Sequence, residues 1–581
     1  MGFDDQESEE DRVKLASLTF QCGKFMRDES AFYPAAAYSK EGLTLMMKIK
    51  DRWEKYRELM TKLVLLRAET VMCCGRTEDV MEVTQEILDN SRSWEDIVPA
   101  FFLRIRAFGQ VAQFAEAVHM GLAALMHLGE EFPHNGDISA LKPELEENIR
   151  RGFGKDEEDF ENLTLMVDKK HLIIMEVLSS AVFYAIRGTI NTQKLVPFFF
   201  YRMYEITLEY GYCWDSIPAF AGYGILMAGA MNDYEEGHRF YKLAMMLQKG
   251  IGPSYNARSS HMAYGFLHHL KEPLSDTLGP LMSGYIDGMA VDETADAVNC
   301  LSVWCSHYLN IGMPLLPLID QMRDYLKIMT ELKRERIWRA TAPYVQLASN
   351  LAGQNSEARL SDLSGEFMDW SEMCERLEIS NNINAVRAMH AAGLEAAYWF
   401  GEYVRAGEML EKLIGMDIGV GQALTFHYRR EVFFSGLVSV KLYRNSLTTS
   451  RSMYYLYKAR DFAAQLRLCF ERGSPDCEDY TLILEAEYRS ISSMFSSYSK
   501  LAEGYLEAVD SAGRIGSLQN IALSNELAGR YISDNVDHVE GIKLLKQARQ
   551  AYRDWNAVAK AEHLEQMYTE LMEDEHEQEG T

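Results

Sequence analysis

Gly401-Glu-Tyr-Val-Arg-Ala-Gly-Glu-Met-Leu-Glu-Lys-Leu413 decides the fold. A glycine bend leads through an aromatic ring into a segment whose small or apolar residues, Ala406, Met409, Leu410 and Leu413, fall at i, i+3, i+4 and i+7. That spacing is one face of an α-helix. The same order returns three times. Gln113-Phe-Ala-Glu-Ala117 runs into Met120, Gly121 and Ala124; Asn232-Asp-Tyr-Glu-Glu-Gly237 into Phe240, Tyr241 and Ala244; Asp537-His-Val-Glu-Gly541 into Leu544, Leu545 and Ala548. Gly75-Arg-Thr-Glu-Asp-Val80 opens a related bend. A small residue stands where the second helix of a hairpin presses closest on the first, and larger ones follow along the same face.

Thr77 and Phe114 lie 37 positions apart, and the longer gaps between other copies have room for degenerate units of about 34 to 45 residues, roughly a dozen helix pairs in all. One pair cannot bury its own apolar face, and stacking does so. The expected fold is therefore all-α, a right-handed superhelical solenoid of tetratricopeptide-like helix hairpins with a concave surface. Sustained period-two alternation is absent, whereas stripes such as Leu59, Leu63 and Leu66 recur. Thirteen prolines occur, and several of them sit at breaks. In Arg472-Gly-Ser-Pro475 the serine reads as an N-cap and the proline as the first helical residue, with Asp476 and Glu478 on the positive end of the new helix.

Composition narrows the function. With 59 basic and 86 acidic side chains the formal charge is −27, which repels nucleic-acid phosphates and anionic lipids. The best apolar window, Leu172 to Ile186, is interrupted by Glu176, so no membrane span is expected. Met-Gly-Phe-Asp-Asp at the start has neither the basic nor the apolar part of a secretory signal. Nine cysteines form no Cys-x-x-Cys and read as small core residues of a reduced, cytoplasmic protein. The domain reading is a disordered acidic N-terminus at 1–10, helical repeats over 11–350, a linker at 351–365 where turn formers gather, further repeats over 366–572, and a disordered acidic tail at 573–581.

Arg104-Ile-Arg-Ala-Phe-Gly109 with Ala117-Val-His-Met-Gly-Leu-Ala-Ala-Leu125, Pro218-Ala-Phe-Ala-Gly-Tyr-Gly224, Gly237-His-Arg-Phe-Tyr-Lys-Leu-Ala244, and Asn520-Ile-Ala-Leu-Ser-Asn-Glu-Leu-Ala-Gly-Arg-Tyr531 followed by Ala548-Arg-Gln-Ala-Tyr-Arg-Asp-Trp555 carry a resemblance. Over most of its length the chain resembles the long tetratricopeptide-like region of large multidomain signalling kinases, which in that family stands beside AAA-type ATPase, Ser/Thr-kinase-like and histidine-kinase modules. These are packing motifs without a catalytic residue. The kinase and ATPase modules are missing from this sequence. The resemblance thus implies either a stand-alone relative or a regulatory fragment of a larger kinase or ATPase, and the family's enzymatic activities do not transfer.

The chemistry-bearing motifs agree with a non-enzyme. No Gly-x-x-x-x-Gly-Lys-Ser/Thr phosphate loop is present, nor His-Arg-Asp, Asp-Phe-Gly or Gly-x-Ser-x-Gly. The glycines of Gly222-Tyr-Gly-Ile-Leu-Met-Ala-Gly229 read as helix contacts. His261 and His268, two turns apart on a straight helix, are too far apart to share a zinc ion. The aromatic run Pro197-Phe-Phe-Phe-Tyr-Arg-Met-Tyr204 reads as core. No cofactor, metal or catalytic residue is expected. Partners are expected to be other proteins, including a kinase or ATPase module, and the candidate contact is the basic cluster Lys333, Arg334, Arg336 and Arg339, whose guanidinium forks suit an acidic or phosphorylated peptide.

Overall fold

The computed structural model describes residues 8–568 apart from 134–135, 152–162, 252–255, 292, 355–358, 379–381, 447 and 494–495. Among them there is no strand, only one isolated bridge between Leu165 and Tyr212. Two compact units divide the chain at 219/220. Each is a solenoid of tetratricopeptide-like hairpins.

In the first unit, consecutive helices pack pairwise: Arg57–Cys73 on Asp79–Asn90, then Trp94–Gln110 on Phe114–His127, with Lys169–Arg187 against the last of these. Side-chain caps set several starts. Ser8 accepts from Asp11 N, Ser93 from Glu95 N and Asp168 from His171 N, each relieving an orphan amide of the first turn. The acidic N-terminus expected at 1–10 therefore ends sooner: Glu9 and Glu10 lie in the first turn of helix Glu9–Asp28, where the helix dipole favours carboxylates. Residues 1–7 and the tail 573–581 lie outside the described residues.

The second unit contains the hairpins Ile383–Trp399 with Tyr403–Ile414, Phe426–Asn445 with Thr449–Glu471, Glu478–Ser492 with Tyr498–Ile515, and Leu518–Asn535 with His538–Asp554. The small positions read from the sequence are all buried: Ala117 in the first unit, Ala406 and Gly541 in the second. Gly224 and Gly237 meet across their hairpin, where a Cβ on Gly224 would stand 2.9 Å from the Gly237 carbonyl oxygen.

Two features differ from the sequence reading. The stretch 351–365 separates no units, because a single core runs from Leu274 to Leu564. From Arg359 onward the chain is irregular and laid on helix Glu335–Ala352: Asn350 Nδ2 donates to the carbonyls of Leu360 (3.0 Å) and Asp362 (2.6 Å), and Phe367 N donates to Gln346 Oε1 at 3.0 Å. The second difference is closure. The final helix, Val558–Met567, returns to pack on Glu335–Ala352, and Leu315 N donates to Trp555 O at 2.9 Å. Every residue from Thr341 to Ala352, Arg387 to Trp399 and Arg429 to Lys441 is buried. Helices buried all round belong to an interior, so in this unit the concave face expected of an open stack is filled by the unit's own helices.

Candidate functional site

An interior of buried helices leaves few places for a partner, and the charged side chains inside it are the first to weigh. Neighbouring inner helices answer each other's charges. Glu431 receives both Nε (2.8 Å) and Nη2 (2.5 Å) of Arg387, and Glu395 receives Nε of Arg430 at 2.8 Å together with its Nη2. Glu487 takes Lys441 at 3.5 Å, Arg444 at 3.3 Å and the Tyr505 hydroxyl at 2.7 Å. Glu526 takes Arg530 at 2.5 Å, Lys560 at 3.2 Å and the Tyr552 hydroxyl at 2.6 Å.

Burial pushes the carboxyls of Glu487 and Glu526 up, but the paired cations outweigh it and hold each at about 2. Lys560 nevertheless falls to about 8, since burial and the adjacent Arg530 outweigh the one carboxylate that the two cations share. The cavity beside this cluster, bounded by Tyr398, Trp399, Glu526, Arg530 and Lys560, is about 10 Å³, room for one water at most. The network holds helices together and leaves no space for a ligand.

Its pH dependence has a definite sign. Both carboxyls ordinarily titrate at 4.5 and are depressed to about 2 on folding, so between those values the unfolded chain binds more protons. Their stabilisation is full above about pH 4.5 and drains as the pH falls towards about 2. Thermal denaturation should show that loss in the wild type, and Glu487→Gln should melt lower at pH 7 with a shallower fall in acid. Parallel curves would contradict the pairing.

The first unit, by contrast, carries an open groove of about 570 Å³. Helix Asp79–Asn90 presents Glu82, Gln85, Glu86 and Asp89 at i, i+3, i+4 and i+7, all four lining it beside the exposed Met47. Glu86 is engaged by Arg52 (3.1 Å) and by the Trp53 indole (3.1 Å). Among the described residues Asp89 accepts from the Gln85 amide at 2.8 Å and neither it nor Glu82 has a cation within 4 Å, while the buried Arg104 guanidinium feels the Asp89 carboxylate from further off. Buried Arg104, from helix Trp94–Gln110, also lines the groove. It donates to Thr84 Oγ1 (2.8 Å), Met81 O (2.9 Å) and Gln85 Oε1 (2.8 Å), which fixes helix Asp79–Asn90 in place through neutral acceptors. The result is a shallow, open groove with acidic side chains along one helix and an apolar methionine edge.

The basic residues singled out in the sequence do not form one open set. Arg334 donates to Thr294 Oγ1 at 2.5 Å, Arg339 pairs with Glu335 at 2.6 Å, Arg336 is partly buried, and Lys333 is exposed in the left-handed region at φ 55°. The histidines also part. The chain passes from helix Asn256–Met262 through a π turn into a 3-10 turn at His268, whose Nδ1 meets Tyr241 Oη at 2.9 Å, while His269 Nε2 meets Leu424 O at 2.8 Å. Among the described residues no three His, Cys, Asp or Glu side chains are placed to hold a metal ion, and no helix is long and apolar enough to cross a membrane. Phe198, Phe199, Phe200, Met203 and Tyr204 are core.

Fold and groove together define a helical-repeat protein of stacked hairpins. No family model matches the chain. In sequence it is similar to hybrid signal transduction histidine kinase G of Dictyostelium discoideum, at 18% identity over 331 residues, 53% of this chain and 10% of that protein. It thus spans about a tenth of that relative's length. Among solved structures it aligns weakly with yeast Tom70 (12% identity, 95% of this chain and 96% of that one, TM-score 0.27). A circular tandem repeat protein with novel repeat topology and enhanced subunit contact surfaces aligns at 10% identity over 98% and 97%, with a TM-score of 0.17.

Proposed function

We propose that this chain is a non-catalytic, protein-binding repeat region of a signalling protein, and that its first unit holds a basic segment of a partner in the groove beside Glu82 and Asp89. The observation that carries the reading is that groove, open and lined by the Glu82 and Asp89 carboxylates, which among the described residues have no cation within 4 Å, in a protein of net charge −27. A lysine or arginine side chain would complete both ion pairs, and the field of the whole chain would speed its approach. The similarity to a stretch of a histidine kinase supports a signalling role, with the partner a kinase or ATPase module of the same polypeptide or another. The basic turn at Lys333, Arg334, Arg336 and Arg339 is proposed as a secondary contact for acidic groups, led by the exposed Lys333.

Fluorescence anisotropy with labelled lysine- and arginine-rich peptides, against acidic peptides of equal length, tests the groove. Saturable binding of the basic set is expected, weaker at high salt and about tenfold weaker for the double variant Glu82→Lys, Asp89→Lys. Equal binding of basic and acidic peptides, or no effect of the charge reversal, would remove the groove from the account.

A further inference from the structure

Helix Thr449–Glu471 and the next helix, Glu478–Ser492, are joined by a turn in which Gly473 takes a φ of +100° and Pro475–Cys477 forms a 3-10 turn. The turn brings two cysteines eight positions apart onto one site. Cys477 is fully buried, whereas Cys469 is only partly so, and both are free thiols. Ser474 lies between them: its amide donates to Cys469 O at 3.2 Å, and its hydroxyl takes the Cys477 thiol at 3.7 Å.

The surroundings are those of an anion. Arg429, 2% exposed, reaches in from helix Phe426–Asn445 and places Nη1 2.6 Å from Ser474 Oγ, while its Nε and Nη2 have no hydrogen-bond partner. Among the described residues no carboxylate lies within 4 Å of this guanidinium; the Asp476 carboxylate is turned to the Leu274 amide at 2.8 Å. A buried cation requires a counter-charge; besides the Asp476 carboxylate, which Arg429 helps to hold down, the ionisable groups that act on Arg429 are the thiols of Cys477 and Cys469 and the Tyr234 phenol. Tyr234 Oη stands 3.4 Å from Cys469 Sγ, and Arg472 lies over the Tyr234 ring at 5.4 Å.

We propose that Cys469 and Cys477 form a redox-active dithiol that closes to a disulfide on reaction with hydrogen peroxide. Cys469 is the attacking thiol, being the accessible one, with Arg429 as counter-ion to its thiolate. The Cys477 thiol beside it, then Arg429, the Tyr234 phenol and Arg472, hold the Cys469 thiol below the ordinary thiol range against the opposing effect of burial. The Cys469 sulfur attacks one peroxide oxygen; the O–O bond breaks, a sulfenic acid forms, and the departing hydroxide takes up a proton as water. Cys477 then attacks the sulfenic sulfur, the S–S bond forms, and the S–OH oxygen leaves with the Cys477 proton as a second water. Two thiols give two electrons to one peroxide. Cys300 and Cys305 are buried, are pushed well up by that burial and take no part.

The test uses the intact reduced chain and an internal reference. Cys73 is exposed, yet its thiol is pushed up, by burial first and then by Glu69. In iodoacetamide labelling at pH 6.5 read by peptide mass spectrometry, Cys469 is expected to react about tenfold faster than Cys73. Hydrogen peroxide should then yield a peptide pair linked through Cys469 and Cys477, and Cys477→Ser should instead accumulate a dimedone-reactive sulfenic acid at Cys469. Cys469 reacting no faster than Cys73, or peroxide treatment giving no such linkage in the wild type, would overturn the proposal. Neither readout requires a variant to fold.

Discussion

Arg430→Met should destabilise the second unit by about 3 to 5 kcal/mol, the cost of leaving its buried partner charged and alone. That partner is Glu395, whose side chain is 3% exposed and which also accepts the Trp399 indole N–H at 3.0 Å. Methionine fills the volume and lies against Phe434 as the guanidinium does now, so the loss is electrostatic. Adding Glu395→Leu should therefore restore most of the stability, since an apolar pair of similar volume avoids desolvating two charges. Urea denaturation of Arg430→Met, Glu395→Leu and the double variant gives the cycle. A single-variant loss below about 1 kcal/mol would mean the pair is wet and screened.

Gly541→Ala should cost about 1 to 3 kcal/mol although alanine is the better helix former. A Cβ there would run into Ser533 N and Cβ and come within 2.5 Å of Ser533 Cα, so the two helices must separate; across the same contact a Cβ on Gly529 would stand 2.9 Å from the Gly541 carbonyl oxygen. Gly504 supplies the opposite sign. It sits in helix Tyr498–Ile515 with nothing within 4 Å of a Cβ, and Gly504→Ala should stabilise by up to about 1 kcal/mol. Thermal melts of the pair should shift in opposite directions. A common direction would mean that helix propensity, not close approach, sets both.

Those small positions were legible because a hairpin contact is local: the residues that make it lie within one repeat, and the i, i+3, i+4 pattern reports it directly. The helix start at Ser474-Pro475 was legible for the same reason, yet the serine hydroxyl caps nothing there and instead donates to His269 O at 2.7 Å while receiving Arg429. Long-range contacts leave fainter traces. Glu395 is the one carboxylate between Arg387 and Glu402, a lone charge in an apolar stretch that needs a partner, but nothing local points to Arg430. The turn formers at 351–365 resemble a linker because the groups that hold Leu360, Asp362 and Phe367, Gln346 and Asn350, are two amides inside a helix. Closure of the second unit by Val558–Met567 joins segments some 200 residues apart in sequence, beyond any repeat pattern. The groove needed three dimensions because its emptiness is a property of shape. Its acidic face on Asp79–Asn90 has the spacing of an ordinary solvated helix.

The central claim is that this chain holds partners and transfers no phosphoryl group. A phosphoryl-transfer site needs a phosphate cradle, a metal-holding carboxylate in fixed relation to it, and a positioned nucleophile or base. The sequence supplies carboxylates without the cradle. The most direct measurement is a titration of the purified chain with magnesium and ATP, following melting temperature and phosphate release together, since a ligand raises stability only by binding the folded state. The account expects an unmoved melting temperature and no turnover. Saturable binding with turnover that a single substitution in this chain abolishes would contradict it.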